Sequence, residues 1–163
     1  MITQEYLLEL FEYSNGHLIW KKKTSNLSRA KIGDKAGYFD KGCNYYRLKI
    51  NNKSYLVHRI IYMMHYGNLP SEIDHIDGDT SNNKIENLRG ATHSQNLCNQ
   101  KMPSHNTSGV KGVSWKNKLK KWFVQLKING KKKHFGYYHD LELAELVAQE
   151  ARNKYHKEFA NHG

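Results

Sequence analysis

Residues 101–109, Lys-Met-Pro-Ser-His-Asn-Thr-Ser-Gly, are polar and turn-forming and lie between two patterned stretches, so the chain divides there. Of 163 residues in all, neither part is long enough to bury a large core by itself. Small modules are expected: residues 1–100, a linker at 101–108, and residues 109–163. Charge follows a related division. The chain carries 26 Lys+Arg against 15 Asp+Glu, a formal +11, spread as +5 over 1–73, −2 over 74–100 and +8 over 101–163. An acidic island between basic flanks suits a site that gathers carboxylates for a cation while its surroundings grip a polyanion.

Cys43 and Cys98 lie far apart and form no C-x-x-C pair, which speaks against a disulfide framework and a thiolate zinc site. No apolar run approaches the roughly 20 residues needed to span a bilayer. No basic stretch followed by an apolar core opens the chain. A soluble, intracellular protein with no membrane partner and no organic cofactor is expected.

Thr3 followed by Tyr6, Leu7, Leu10 and Phe11 predicts a capped amphipathic helix over about 4–13, and residues 17–21 a short strand. Residues 22–44 show little periodicity and receive no assignment. Tyr45–Ile50 and Ser54–Val57 predict two strands around an Asn51-Asn52 turn, because Asn tolerates positive φ. A helix follows over about 58–66, closed by Gly67 with Pro70 beyond.

Residues 72–99 carry the chemistry. Glu72–Ile76 predicts a strand bearing Asp74 and His75. Residues 77–87 are a loop too rich in Gly, Asp, Asn and Ser for a regular element, and Leu88–Ala91 a returning strand. Thr92 with Gln95 three residues on makes a capping box, which starts a helix carrying Asn96 and Asn99 on one face. Phosphodiester hydrolysis needs a base for the attacking water and a cation to neutralise the pentacovalent phosphorane and the departing oxygen. A carboxylate and an amide oxygen are hard ligands, so Asp74 with Asn96 favours Mg²⁺ or Mn²⁺ over Zn²⁺. An imidazole titrates near physiological pH, which suits His75 to accept the water's proton. Asp77 and Asp79 read as turn formers, since no Glu follows at the spacing a calcium loop requires. His93 reads as a surface residue. Asn99 either replaces Asn96 as ligand or hydrogen-bonds the loop, the latter being favoured. His58 and Arg59 either contact phosphate or fix the helix start.

This stretch resembles the HNH endonucleases of the ββα-metal fold, and particularly the small homing endonucleases of phages and mobile introns. The matching residues are Asp74-His75, Asn87 in Glu-Asn-Leu-Arg, and Asn96, with Val57-His58-Arg59-Ile60 and Gly67-Asn68-Leu69-Pro70 upstream, so the likeness spans about 45–100. It implies that Asp74 and Asn96 ligate the metal, that His75 is the general base, and that Asn87 braces the loop so that His75 points correctly. Asn96 stands where many members have a third His, a variation the homing subgroup also shows.

From 111 to 133 there are nine lysines and no acidic residue, interleaved with Trp115, Trp122 and Phe123. Alternation puts Trp122, Val124, Leu126 and Ile128 on one strand face and Lys121, Phe123, Gln125 and Lys127 on the other. Asn129-Gly130 predicts a hairpin turn into a strand over Lys132–Tyr138. That strand sets His134 and Lys132 against Lys133, Phe135 and Tyr137. Asp140 then caps a helix with apolar positions 144, 147, 148, 151 and 155. A basic ribbon of this kind fits the major groove, where Gln125 is placed to read a base.

Residues 106–115 with the following Lys-Trp, Gly-Lys-Lys-Lys-His-Phe-Gly-Tyr-Tyr and Ala-rich helix resemble the Apetala2 DNA-binding domain, which also occurs fused to phage HNH nucleases. The resemblance implies a DNA-facing set of Ser114, Lys116, Lys118, Gln125, Lys127, Lys132 and His134. Lysines, Ser114 and His134 stand where that family usually has Arg and Trp, so its base specificity does not transfer.

The sequence therefore predicts an α+β protein: a ββα-metal nuclease module with a β-rich N-terminal extension, and a three-stranded antiparallel sheet packed on one helix. The expected reaction is Mg²⁺-dependent (or Mn²⁺-dependent) hydrolysis of double-stranded DNA by a monomer that nicks one strand per site, in a phage-encoded, homing-type enzyme. The family resemblance adds 5′-phosphate and 3′-hydroxyl ends. Two rivals stand beside it: a non-catalytic DNA-binding regulator with a decayed nuclease fold, and a nuclease acting on structured RNA.

Overall fold

The computed structural model describes residues 2–22 and 30–162. Its internal contacts divide the chain into two units, Met1–Ala91 and Thr92–Gly163. Among the described residues the fold is α+β, with several small antiparallel sheets and four α-helices.

In the first unit, α1 (Gln4–Leu10) starts at Thr3, whose side-chain oxygen accepts from the Tyr6 amide at 3.3 Å. The helix stops three residues short of the expected end. Phe11–Ser14 instead form β1, hairpinned to β2 (His17–Trp20) through Asn15 and Gly16, both at positive φ. Burial explains the switch: Phe11 sits opposite Trp20 with ring centroids 4.6 Å apart, and both side chains are buried. β3 (Lys35–Ala36) completes this sheet in the order β1-β2-β3.

Of the unassigned stretch 22–44, residues 23–29 lie outside the described residues, and the remainder contains β3 and β4 (Tyr38–Asp40). β4 pairs with β5 (Tyr45–Ile50), which pairs with β6 (Lys53–Leu56) across Asn51 and Asn52 at φ 47° and 62°. Two successive left-handed residues are what the expected two-residue hairpin requires. α2 (Val57–Tyr66) closes on Gly67 at φ 70°, whose amide donates to Met63 O at 2.9 Å. Its buried face, Val57, Ile60, Ile61 and Met64, packs with Leu7, Leu10, Leu48 and Ile50 into the core of this unit. β7 (Glu72–His75) and β8 (Leu88–Ala91) then form an antiparallel pair. Between them the loop holds a 3₁₀ turn at Ile85–Asn87, where no regular element was expected. Ile85 packs on the core and its amide donates to the Tyr13 hydroxyl at 3.0 Å, so tertiary contacts create the turn.

In the second unit, α3 (His93–Asn99) begins with the complete capping box of Thr92 and Gln95. Its C-terminal carbonyls are bound from further along the chain. Lys111 Nζ donates to Cys98 O at 3.0 Å and also to Gln100 O, and Asn161 Nδ2 donates to Asn99 O at 2.8 Å. These bonds satisfy the orphan acceptors of a helix end, and the polar segment 101–108 lies inside this unit.

β9 (Val113–Lys116), β10 (Lys121–Ile128) and β11 (Lys131–Tyr138) form a sheet in the order β11-β10-β9, packed on α4 (Leu141–His156). Asp140 caps α4 by accepting from the Glu142 amide at 2.7 Å. Val110, Val113 and Val124 meet Ala144 and Ala148, whose small side chains let the helix approach the sheet closely.

Simple alternation fails on β11. The register against β10 shifts between Val124 and Gln125, so Val124 faces Gly136 while Gln125 faces His134. Gly136, at φ 120°, supplies the backbone such a bulge needs. Consequently Phe135 packs on the core, whereas Tyr137 pairs with Phe123 on the opposite face, which separates two residues expected to share one.

Candidate active site

β7 sets Asp74 and His75 next to each other, and both are buried, at 4% and 3% exposure. Cross-strand pairing places Asp74 opposite Arg89 of β8. Asp74 Oδ2 accepts from Arg89 Nε at 2.8 Å and from Nη2 at 2.7 Å. A buried carboxylate without such a partner would pay a large desolvation cost, so Arg89 is the residue that lets an acid occupy this strand.

His75 is held differently. Its Nε2 lies 3.0 Å from Oδ1 of Asn83, a residue only 3% exposed. The ring of His58, from the first turn of α2, meets it edge-on at 5.0 Å, and Tyr45 of β5 lies 5.1 Å from His58 and 6.0 Å from His75. Burial, followed by the charges of His75 and Arg59, pushes His58 from 6.5 down to about 3, so it is a neutral packing ring at neutral pH. Burial likewise raises the Tyr45 hydroxyl, reinforced by Asp74. Arg59 Nη1 and Nη2 reach Ser71 O and Pro70 O, each at 3.4 Å, tying the helix start to the approach into β7.

The loop between the strands is closed by its own side chains. Asn87 Nδ2 donates to Asp77 Oδ1 at 2.9 Å and to Asn82 O at 2.8 Å, while its Oδ1 accepts from the Asp77 amide at 3.0 Å. Its backbone carbonyl also takes the Ile76 amide at 2.9 Å. Asp77 accepts from Asn82 Nδ2 and from the Asp79 amide, and Asp79 from Ser81. Burial opposes ionisation of Asp77, but bonds from Asn82, the Asp79 amide and Asn87 outweigh it and hold its carboxyl below the usual range. Asp77 and Asp79 are thus spent on folding the loop. The first unit brings together His58, Asp74, His75 and Asn87, while Asn96 and Asn99 stand on α3 in the second.

A model of the HNH endonuclease family matches residues 55–98, from the end of β6 to α3. Protein 3.8 of Escherichia phage T7 is 39% identical over 90 residues, covering 54% of this chain and 72% of that protein. The chain belongs to the HNH endonuclease family. No solved structure matches it.

Around Asp74 and His75, sequence reasoning missed three contributors. Arg89 was read only as part of a strand, Tyr45 only as a strand residue, and Asn83 only as one of several loop formers. Opposite charges at facing positions of β7 and β8 were the available signal for Arg89. Nothing local marks Asn83, because its partner is reached only when the loop folds back.

The donor set can be tested against the cation an HNH site implies. No group of three or more His, Cys, Asp or Glu that could hold a metal ion is found among the described residues. Asp74 offers one carboxylate beside an arginine, which fits a hard cation that takes much of its coordination from water and phosphate oxygens. It does not fit a closed zinc cage.

The second unit carries the basic sheet face. Cross-strand pairs Gln125 with His134, Lys127 with Lys132, Phe123 with Ser114 and Lys121 with Lys116 put these side chains on one side. Lys118 is exposed in the turn between β9 and β10. At the centre Phe123 is buried beneath His134 and Tyr137, and the Lys116 ammonium lies 4.9 Å over its ring. The face is therefore not purely polar, since an aromatic centre anchors its cations. No helix among the described residues is long and apolar enough to cross a membrane.

Proposed function

We propose that this chain is a divalent-metal-dependent DNA endonuclease of homing type that hydrolyses one phosphodiester bond per active site. The observation that carries the reading is His75: an imidazole fixed by a buried amide, adjacent to a buried carboxylate, within the residues that match the HNH family. Asp74 would be a ligand of Mg²⁺ or Mn²⁺, the family resemblance gives Asn96 the same role, and Asn99 serves the helix end. A bound cation supplies charge neutralisation at the scissile phosphate. His75 accepts the proton of the attacking water as the new P–O bond forms and the P–O3′ bond breaks, and the departing O3′ takes a proton from solvent water, leaving a 5′-phosphate and a 3′-hydroxyl. Asn87 keeps the loop closed around the base, and Arg89 holds Asp74 in place through its two contacts to Oδ2.

The C-terminal unit acts as an Apetala2-like grip on duplex DNA. Lys116, Lys118, Lys127 and Lys132 contact phosphates, and Ser114, Gln125 and His134 are placed to meet base edges. Residues 101–108, expected as a linker, join α3 to the β9–β11 sheet inside the second unit. His58 and Arg59 act in packing, because His58 is buried behind His75 and Arg59 is spent on carbonyls.

A supercoiled-plasmid assay tests the whole reading. Wild type with Mg²⁺ should yield open circles, His75→Ala should lower the rate about 10²–10⁴-fold, and gel shifts should show unchanged DNA binding. Intact plasmid with both proteins, alongside normal binding, would make the chain a DNA-binding regulator. Preferential cleavage of structured RNA in competition would reassign the substrate.

A further inference from the structure

Most polar side chains of the loop 77–87 close the loop on itself, but Asn83 does something else. Its side chain is buried, and its Oδ1 meets Nε2 of His75 at 3.0 Å. A carbonyl oxygen only accepts, so Nε2 is the protonated nitrogen and, in the neutral ring, the lone pair belongs to Nδ1. We infer that Asn83 is a positioning residue for His75, selecting the Nε2–H tautomer and fixing the ring's rotation so that Nδ1 is the proton-accepting atom; this rests on the endonuclease reading above.

The surroundings support an orienting role. His58 at 5.0 Å and Tyr45 at 6.0 Å confine the imidazole by packing, but stacked and edge-on rings do not choose between tautomers. The Asn83 carbonyl oxygen, at hydrogen-bond distance from one ring nitrogen, does choose. The loop network also ends on it: Asn87 binds the carbonyl of Asn82, the residue next to Asn83. Asn87 therefore reaches the imidazole through two consecutive residues, Asn82 and Asn83, which gives its bracing of the loop a chemical endpoint. A purely structural Asn83 would satisfy a buried histidine and affect stability alone.

The full-length protein and two variants separate these roles. Asn83→Leu keeps the size and removes the acceptor, whereas Asn83→Asp keeps an acceptor oxygen. Long-range ¹H–¹⁵N correlation spectra of His75, recorded without metal or DNA, should show the proton on Nε2 in wild type and in Asn83→Asp. In Asn83→Leu a population protonated on Nδ1 should appear. In Mg²⁺-dependent plasmid nicking, Asn83→Leu should lose about 10–100-fold in kcat with KM little changed, the scale expected for an orienting partner. Asn83→Asp should recover most of that loss.

A wild-type His75 protonated on Nδ1 overturns the inference, as does Asn83→Leu with unchanged tautomer and rate. Should Asn83→Leu melt below the assay temperature, the wild-type spectrum together with Asn83→Asp still decides it. A wild type that shows Nε2–H yet cuts no DNA removes the endonuclease reading while leaving Asn83's hold on the ring standing.

Discussion

At the scale of single residues, Asp74 and His58, two of the buried ionisable groups of the first unit, have environments that differ in kind. Asp74 is compensated by a cation, and removing Arg89 takes that positive charge away from a buried carboxylate. Arg89→Ala should therefore destabilise the first unit by ~3 kcal/mol, read as a lowered urea midpoint. His58 has no such compensation and is kept neutral by burial at about 3, against an ordinary 6.5. The unfolded chain binds this proton more readily, so stability is fully present above about pH 6.5 and falls as pH drops toward 3. The slope is at most about 1.4 kcal/mol per pH unit from this one group. Urea midpoints at pH 7 and pH 5 should thus differ more in wild type than in His58→Gln. An equal difference in both proteins would show that another group sets the acid limb.

Among the elements, α3 depends on its ends. At seven residues it is too short to be stable from propensity alone, and the capping box at one end and Lys111 with Asn161 at the other supply its missing partners. Thr92→Ala should cost the second unit about 1 kcal/mol, seen as a shift in its thermal midpoint. The bulge in the β10–β11 hairpin depends on Gly136. A Cβ on Gly136 would lie 3.0 Å from the Tyr138 hydroxyl, and its φ of 120° suits few other residues. Gly136→Ala should cost roughly 1–3 kcal/mol, and the same change should weaken DNA binding if the bulge aligns His134 with Gln125. Gel shifts at a temperature where the variant is folded check the second effect.

For the molecule as a whole, net charge governs how the proposed grip on DNA responds to salt. With a formal +11 and the lysine-rich face of β9–β11, affinity for random duplex should fall steeply with salt. Lys127→Ala should reduce the log–log salt slope by about one and weaken specific and random DNA alike. Gln125→Ala should lower the preference for a target sequence with little change of slope. Equal losses on both DNAs for both variants would remove the readout role from Gln125. Chelation of the metal should stop cleavage while leaving this binding in place, because the lysines of the sheet face meet phosphates without needing a metal.

The sequence alone determined those features whose causes are local. Asn51-Asn52 specified its turn because both residues tolerate positive φ, Thr92-x-x-Gln95 started a helix because each supplies the other's missing bond, and Asp74-His75 with Asn87 and Asn96 marked the HNH span by chemistry and spacing. The alternating face of β10 was legible for the same reason. What depends on residues meeting across the chain was decided only by the tertiary structure. Phe11 left its helix because Trp20 offered a better burial, and Tyr137 changed face because a bulge opposite Val124 broke a period of two. Arg89 neutralises Asp74 only once β8 lies beside β7. Asn83 looked like any loop asparagine until the chain folded back and set its oxygen against His75.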